Sequence, residues 1–361
     1  MKVSIIGPFP EPIHGMSKSN ETLLQYFEKS NDVTISYFDI TLERRLKSKN
    51  RQGKFRLSSF FLSLVNLFKL LFFVFQRRGD VMYITPPQSV LGYVRIYPAI
   101  LFAKILGSKI VIHIHGSRFS YYVEQSRSFF QMLVKSSFRF IDAFILLGES
   151  IKLSHSHLLE CSKIFICENG VEDPHFTLRS RNNTVTNVLF LSNLMKDKGI
   201  FDFLDAIEKI HPRDQYHFAL AGAIEPSQSK LIGERLSRLG PNVSYHGVVT
   251  GREKEILFEK ADIFILPSYD EGQPLSILEA YSYGCTVVTT CIGGIPDIFE
   301  DGINGKYVEI GSPDSIVEKI LELKKNEIKK FSHNNIKVFE DKYTKEKFCK
   351  RVLDILNVIK S

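Results

Sequence analysis

Short apolar runs that end in turn residues recur along the whole chain and alternate with stretches of helical spacing. The runs are rich in β-branched residues and continuously apolar, which is typical of strands buried on both faces of a parallel sheet. Strands that alternate with helices predict an α/β fold with helices on both faces of each sheet. The runs begin at Val3, Val33, Val81, Lys109, Ala143, Ile164, Val188, Tyr216, Val243, Ile263, Thr286 and Gly305.

A polar stretch at residues 172–187 interrupts this alternation, which then resumes. The chain has 361 residues, too many for one ordinary core, so we interpret the stretch as a linker between two doubly wound domains. Ligands of such sheets bind beyond the carboxyl ends of the strands, and we expect a site in the cleft between the domains. Residues 343–360 have apolar side chains at helical spacing and predict a closing amphipathic helix.

The first residues, MKVSIIGPFPEP, hold too short an apolar run for an export signal, so we expect none. The five cysteines are odd in number and form no C-x-x-C pair, which predicts neither a disulfide framework nor a zinc site. We therefore expect a cytoplasmic protein. The formal net charge of +7 favours an anionic partner such as a nucleotide, a phospholipid surface or nucleic acid.

The stretch SYDEGQPLSILEAYSYGC places two acids, Glu271 and Glu279, eight positions apart after the apolar run IFILPS. Gln273 and Pro274 are expected to begin a helix there. The free N–H groups of the first turn, at Leu275 and Ser276, form an anion site with the helix dipole, and Gly272 allows close backbone approach.

Glu279 falls about 8 Å along that helix, a distance that suits a ribose or sugar diol next to a bound diphosphate. Glu271 then lies on the other side of the phosphates, where a transferred group would be. The alternative interpretation is a solvated loop acid and a surface helix acid, because acids in a first turn also stabilise helices generically.

These residues resemble a known family. The pattern EGQPLSILEA, followed by GGIPDIFEDGINGKYV, is similar to the C-terminal domain of retaining glycosyltransferases of the GT-B fold, family 4. The resemblance implies two Rossmann-like domains that face a central cleft, with the last helix crossing back to the first domain. It also implies that Glu271 faces the donor sugar near the reacting centre and that Glu279 binds the nucleotide ribose.

Further positions extend the resemblance. Lys198, at the end of a strand and the start of a helix, matches the family lysine that binds the diphosphate. Ser192 and Asn193 stand where the family pattern usually has Gly-Arg, so one phosphate cation is missing.

In the N-terminal half, His14 and Gly15 replace the family's Gly-Gly loop, and Gly15 is expected to offer an N–H to the diphosphate. His115 matches the family histidine that approaches the donor sugar. We interpret His113, two residues before it, as a core residue.

The sequence contains no D-x-D motif and no cluster with metal-ligand spacing, so we expect a metal-independent reaction without a cofactor. Lys198 and backbone N–H groups would balance the charge of the leaving diphosphate. The resemblance implies retention of anomeric configuration through departure of the nucleotide on the face that the acceptor attacks.

Residues 43–80 contain seven basic residues from Arg44 to Arg56, then an apolar run from Phe60 to Phe75. The run is short for a bilayer span, and Lys69 near its middle argues against crossing. One interpretation is a mostly buried helix with a solvated basic loop; the other is a peripheral membrane surface next to a lipid-linked acceptor. Nucleic acid is not expected, because aromatic residues are not interleaved with the basic run.

The sequence thus predicts an enzyme that moves a sugar from a nucleotide-sugar donor to a saccharide acceptor, which we expect to be lipid-linked, in bacterial surface polysaccharide assembly. The expected domains are residues 1–176 and 177–342, with 343–361 as a helix that packs back toward the first. Two alternatives stay open: an inactive glycosyltransferase-like accessory subunit, and a nucleotide-sugar epimerase of the same fold.

Overall fold

A computed structural model describes residues 1–41, 57–160, 162–174 and 184–361 of the chain. Its residues divide into two units of similar size, one formed by Met1–Asn169 together with Lys345–Ser361 and the other by Gly170–Thr344. The boundaries expected from the sequence were 176/177 and 342/343, whereas these units divide at 169/170 and 344/345. Residues 175–183 of the expected linker lie outside the described part of the chain.

Unit 1 is built on a six-stranded parallel sheet with the order β2-β1-β3-β4-β5-β6. Its strands are β1 Lys2–Gly7, β2 Thr34–Asp39, β3 Val81–Ile84, β4 Lys109–Ile114, β5 Ala143–Leu146 and β6 Ile164–Ile166. Its first six helices are α1 Gly15–Glu28, α2 Leu57–Gln76, α3 Val90–Ile105, α4 Phe119–Glu124, α5 Ser128–Ser137 and α6 Glu149–Leu159.

Both faces of this sheet are covered, which explains why its strands read as continuous apolar runs. Met82 and Ile84 of β3 pack on one side with α2 and α3, whereas Val81 and Tyr83 pack on the other side with α1. Neighbouring side chains of a strand point to opposite faces, so every position of β3 is buried.

Unit 2 contains a second six-stranded parallel sheet with the order β12-β11-β10-β7-β8-β9. The strands are β7 Thr186–Leu191, β8 Tyr216–Ala221, β9 Val243–Tyr245, β10 Ile263–Leu266, β11 Thr286–Thr290 and β12 Gly305–Val308. The helices are α7 Ile200–Lys209, α8 Ser229–Arg238, α9 Gly251–Lys260, α10 Leu275–Ser282, α11 Pro313–Glu322 and α12 Lys325–Val338. All twelve strands expected from the sequence are therefore present.

The closing helix, α13 (Lys345–Lys360), belongs to unit 1 although the preceding residues belong to unit 2. Phe348, Val352 and Leu356 are fully buried against side chains of α1, β1 and β4. Burying such a side chain stabilises a fold by about 1.5–3 kcal/mol. The expected return of the last helix to the first unit is confirmed.

Helix α2 differs from the interpretation of a mostly buried helix. Leu70 and Val74 are buried in the core, but Phe68 and Phe72 are 64% and 62% exposed. Local sequence could not distinguish the two faces, because both are apolar. The basic residues from Arg44 to Arg56 lie outside the described residues.

Candidate functional site

The strand order of unit 2 reverses between β7 and β10, which are hydrogen-bonded neighbours. The chain that leaves β7 continues to β8 on one side, whereas the chain that leaves β10 continues to β11 on the other side. The loops at the carboxyl ends of two such strands diverge and leave a crevice, where doubly wound sheets bind ligands. Lys198 lies in the loop after β7. Glu271, the first acid of the motif, lies in the loop after β10, and Glu279 lies in the helix that follows it.

The loop after β7 ends in a short 3₁₀ turn, Lys196–Lys198, which is followed by Gly199 in the left-handed region at φ 73°. A Cβ atom on Gly199 would lie 2.1 Å from the Pro267 carbonyl oxygen, so only glycine permits this approach to the end of β10. The Tyr269 N–H also donates to the Asp197 carbonyl at 2.9 Å. These backbone contacts hold the loop after β7 against the loop after β10.

Glu271 is the centre of the contacts between these loops. Its Oε1 accepts a hydrogen bond from Lys198 Nζ at 2.6 Å and another from Ser268 Oγ at 2.8 Å. The Glu271 side chain is 8% exposed and that of Lys198 is 25% exposed. A carboxylate this deeply buried requires such partners, because an unpaired buried charge is strongly destabilising.

A glycine pair holds the backbone of Glu271. The Gly294 N–H donates to the Glu271 carbonyl at 3.2 Å. Gly293 has φ 53°, and a Cβ atom there would lie 1.8 Å from the same carbonyl oxygen. From the sequence, GGIPD was recognised only as part of a family pattern. The structure shows that its glycines fix the position of the first acid.

Helix α10 begins at Leu275, and Pro274 is its flanking residue. The helix therefore starts directly after Gln273 and Pro274, the two residues that were expected to begin it. Pro274 provides no side-chain cap, and the first-turn N–H groups of Leu275 and Ser276 have no acceptor within the helix. Gln273 is 6% exposed, which places this end of the helix in a largely buried setting beside Gly272.

Glu279, the second acid, lies one turn along α10 on the partly exposed face that also carries Leu275 and Ser276. Its Oε1 accepts a hydrogen bond from Lys254 Nζ at 2.6 Å. The side chains of Lys254 and Glu279 are 29% and 21% exposed. Sequence reasoning missed Lys254, which comes from α9 and has no motif around it.

Gly15 and His115, which we expect to bind the donor, both lie in unit 1. Gly15 is the first residue of α1, and His14 caps the helix. The His14 Nδ1 accepts from the Ser17 N–H at 3.3 Å, and the Ser17 Oγ accepts from the His14 N–H at 3.0 Å. A histidine thus performs the capping at this helix end, where the family pattern has glycine.

His115 follows the carboxyl end of β4 and is 8% exposed. Burial, assisted by the charge of the nearby His14, lowers the pKa of His115 to about 3, so its ring is neutral at neutral pH. Its Nε2 has no hydrogen-bond partner among the described residues. His113 is buried, and its Nδ1 is hydrogen-bonded to the Tyr83 hydroxyl, as expected of a core residue.

Unit 2 therefore gathers Lys198, Glu271, Glu279 and the first turn of α10 around one sheet edge, whereas Gly15 and His115 belong to unit 1. The Lys198 ammonium and the first-turn N–H groups of α10 are each suited to an anion such as a diphosphate. Asn193, at the position of the absent arginine, is exposed in the loop after β7. Among the described residues, no three His, Cys, Asp or Glu side chains form a metal-binding group.

Residues 185–326, which include all of the unit 2 site, match the family of glycosyl transferases group 1. Over its whole length the chain superposes on the crystal structure of Anabaena Alr3699/HepE in complex with UDP, with a TM-score of 0.75. The sequences are 16% identical, and the match covers 99% of this chain and 100% of the other. This likeness shows that the two Rossmann-like units form the fold of GT-B glycosyltransferases.

Two curated relatives are similar in sequence. An N,N'-diacetylbacillosaminyl-diphospho-undecaprenol alpha-1,3-N-acetylgalactosaminyltransferase of Campylobacter jejuni is 25% identical over 58% of this chain and 59% of its own length. The putative colanic acid biosynthesis glycosyltransferase WcaL of Salmonella typhimurium is 25% identical over 44% of this chain and 42% of its own length. The chain spans less than two thirds of the length of the curated relatives it matches.

Proposed function

We propose that this chain, whose residues 185–326 match the glycosyl transferases group 1 family, transfers a sugar from a nucleotide-sugar to a saccharide acceptor in bacterial surface polysaccharide assembly. The observation that carries the proposal is the contact between Lys198 and Glu271 in the loops that follow β7 and β10, where the strand order reverses and α10 begins four residues after Glu271. A cation and free N–H groups bind the oxygens of a diphosphate. Carboxylates bind sugar hydroxyls or stabilise positive charge that develops on the sugar.

In this proposal the diphosphate of the donor binds at the start of α10. The N–H groups of Leu275 and Ser276 and the Lys198 ammonium bind its oxygens, and Gly272 lets the backbone approach them. Gln273 and Pro274 shape the turn that leads into the helix. Lys198 has three N–H donors, so it can bind a phosphate oxygen and keep its bond to Glu271. The UDP complex of Anabaena Alr3699/HepE supports UDP-sugars as the first donors to test.

Glu279 is proposed to bind the ribose hydroxyls, because a carboxylate accepts hydrogen bonds from a diol and Glu279 lies one helical turn beyond the phosphate end. Glu271 is proposed to face the sugar ring, where its negative charge stabilises the positive charge that develops at the anomeric carbon. Gly15 and the neutral His115 are proposed to contact the donor as well, as the family resemblance implies.

The proposed reaction retains the anomeric configuration. The bond between the anomeric carbon and the diphosphate oxygen breaks, and the acceptor oxygen bonds to the same face of that carbon. The acceptor hydroxyl proton passes to the departing diphosphate oxygen, so charge and atoms balance. Lys198 and the α10 N–H groups stabilise the leaving group, and we propose that no metal ion is needed for that task.

The acceptor is proposed to be a lipid-linked saccharide. The Campylobacter jejuni relative is named for a diphospho-undecaprenol substrate, which supports this choice. An enzyme acting on such an acceptor would work in the cytoplasm at the surface of the membrane. No helix in the described ranges has the length and hydropathy needed to span a bilayer.

Thermal unfolding against a panel of UDP-, GDP-, ADP-, CMP- and dTDP-sugars in EDTA tests the donor site, because a ligand that binds the native state raises its stability. We expect one nucleotide to raise the unfolding temperature and Glu279→Ala to abolish the shift. The matched control is Glu318→Ala, which also removes a carboxylate bonded to a lysine at 2.6 Å but on an exposed surface.

An inactive accessory subunit is the second candidate, and the specific observations that favour it are Asn193 in place of a phosphate cation and the His14 cap on α1. Turnover separates the two candidates. An enzyme with bound donor transfers or hydrolyses the sugar, and Glu271→Ala removes that activity. A folded chain that binds a donor without turnover, in the presence of lipid-linked acceptors, would favour the accessory role.

A further inference from the structure

Helix α2 carries a stripe of large apolar side chains that no other described part of the chain covers. Leu64, Val65, Phe68, Phe72 and Phe75 are 37%, 46%, 64%, 62% and 48% exposed. At about 100° per residue they fall within one arc of about 100°, so they form one surface, here called the α2 outer face. An exposed contiguous apolar surface of this kind marks an interaction site.

The opposite side of α2 already has its partners. Leu70 and Val74 are 3% and 0% exposed within the core of unit 1, and Phe73 packs beside Phe38 with ring centroids 5.5 Å apart. A soluble surface helix normally presents polar side chains on its outer side. The apolar side chains of the α2 outer face are therefore not needed for the packing of unit 1.

The positive charge of the chain is concentrated in the segment of the sequence that contains α2. Residues 44–79 contain ten Lys and Arg and no Asp or Glu. Subtracting these ten charges from the formal net charge of +7 leaves the rest of the chain at −3. The basic character of the protein thus resides entirely in the segment that contains α2. Such a combination complements an anionic surface that also accepts apolar side chains.

The geometry indicates a helix that lies on a bilayer. Lys69 is exposed near the middle of α2, and a charged side chain at that place is costly inside hydrocarbon. Arg77 and Arg78 are exposed directly after the helix, and the Arg78 guanidinium lies 5.2 Å from the centre of the Phe75 ring. Aromatic rings flanked by cations are typical of helices in the plane of the interface.

We propose that the α2 outer face inserts into the surface of an anionic lipid bilayer, with Lys69, Arg77 and Arg78 bound to lipid phosphates. A membrane is favoured over a second copy of the chain because the charged side chains on and directly after α2, Lys69, Arg77 and Arg78, are all positive, and two such surfaces would repel each other. The inference does not depend on the donor chemistry, so it is testable whether or not a donor is known. It assigns unit 1 as the part of the protein that meets the lipid.

Sedimentation of the full chain with phosphatidylcholine vesicles, with and without phosphatidylglycerol, tests the proposal. We expect binding to the anionic vesicles that weakens as salt concentration rises. The variant Phe68→Ser/Phe72→Ser/Phe75→Ser should lower the partition coefficient by about tenfold or more. Arg77→Gln/Arg78→Gln should weaken binding to anionic vesicles and leave the weak binding to phosphatidylcholine unchanged.

The matched control is Leu153→Ser/Leu231→Ser/Val358→Ser, which removes apolar side chains that are 75%, 52% and 53% exposed on three other helices. This control should bind vesicles as the wild type does. All the substituted positions are exposed, and thermal unfolding verifies that each variant is folded. Absence of wild-type binding to anionic vesicles, or an equal loss in the control, overturns the proposal. So does a wild-type dimer that dissociates in the triple α2 variant without any vesicle binding.

Discussion

The Lys198 ammonium lies 2.6 Å from the Glu271 carboxylate, although the two residues are 73 positions apart in the chain. They meet because each follows the carboxyl end of one of two neighbouring parallel strands, β7 and β10. The pair is largely buried, and the Ser268 hydroxyl donates to the same carboxylate oxygen. The ammonium is thereby held against the first acid of the motif, four residues before α10 begins.

Glu271→Gln should reduce turnover by about 100-fold or more while the donor affinity changes only a few-fold. The amide keeps the size of the side chain but removes the charge that stabilises the developing positive charge on the sugar. Steady-state turnover and donor binding are measured on the same preparation. Glu318→Gln, at a surface pair with Lys319, should leave both values unchanged. Unchanged turnover in Glu271→Gln would contradict the proposed role at the sugar.

Lys254→Met should weaken donor binding by about tenfold or less, a smaller loss than that in Glu279→Ala. The ammonium holds Glu279 in one orientation, and a carboxylate with about four acceptor positions can bind Lys254 and ribose hydroxyls together. Calorimetric titration gives the dissociation constants.

The control for this change is Lys209→Met, which breaks a lysine pair with Asp314 on the surface. Tighter donor binding in Lys254→Met would show that Lys254 competes with the ribose, contrary to the prediction.

Gly293→Ala should destabilise unit 2 by about 3 kcal/mol or more and remove turnover. The new Cβ would lie 1.8 Å from the Glu271 carbonyl oxygen, so the loop that carries the first acid must move. Urea unfolding gives the free energy.

Gly302→Ala provides the comparison, because Gly302 also has positive φ but a Cβ there meets nothing within 4 Å. That variant should lose only the cost of the left-handed backbone, about 1 kcal/mol. Equal losses in the two variants would mean that contact with Glu271 does not matter.

Stability should fall as the pH drops below about 6.5, and His115 should account for part of the fall. Its pKa is lowered to about 3 by burial, so between pH 6.5 and 3 the unfolded chain binds a proton that the folded chain does not. One unit below the unfolded pKa, this amounts to roughly 1 kcal/mol. Urea unfolding of His115→Asn between pH 7 and 5 should show a shallower slope than the wild type. Identical slopes would contradict the prediction.

The sequence was sufficient to locate the strands and to single out Lys198 and Glu271 as candidate residues, but not to predict that the two bond to each other. Buried parallel strands leave a local signal of short apolar runs, and Lys198 and Glu271 each stand at the end of such a run. Lys254 left no signal, because its partner Glu279 is brought to it by the packing of α9 beside α10. Contacts between helices that are distant in sequence depend on tertiary structure.

Helix α2 shows that burial, too, cannot be predicted from local sequence alone. An apolar run predicts burial, yet burial depends on which neighbours the fold provides, and α2 has neighbours on one side only. The correct distinction between Val74, fully buried, and Phe72, mostly exposed, required the structure.

The return of α13 to unit 1 has a consequence for synthesis on the ribosome. Val171, just after the chain has left unit 1, bonds through its N–H to the Tyr343 carbonyl, just before the chain re-enters it. Domains usually fold in the order in which they are translated. Here the first domain to be translated lacks the core side chains of α13 until that helix has been made. By then every strand of the second domain has already been translated.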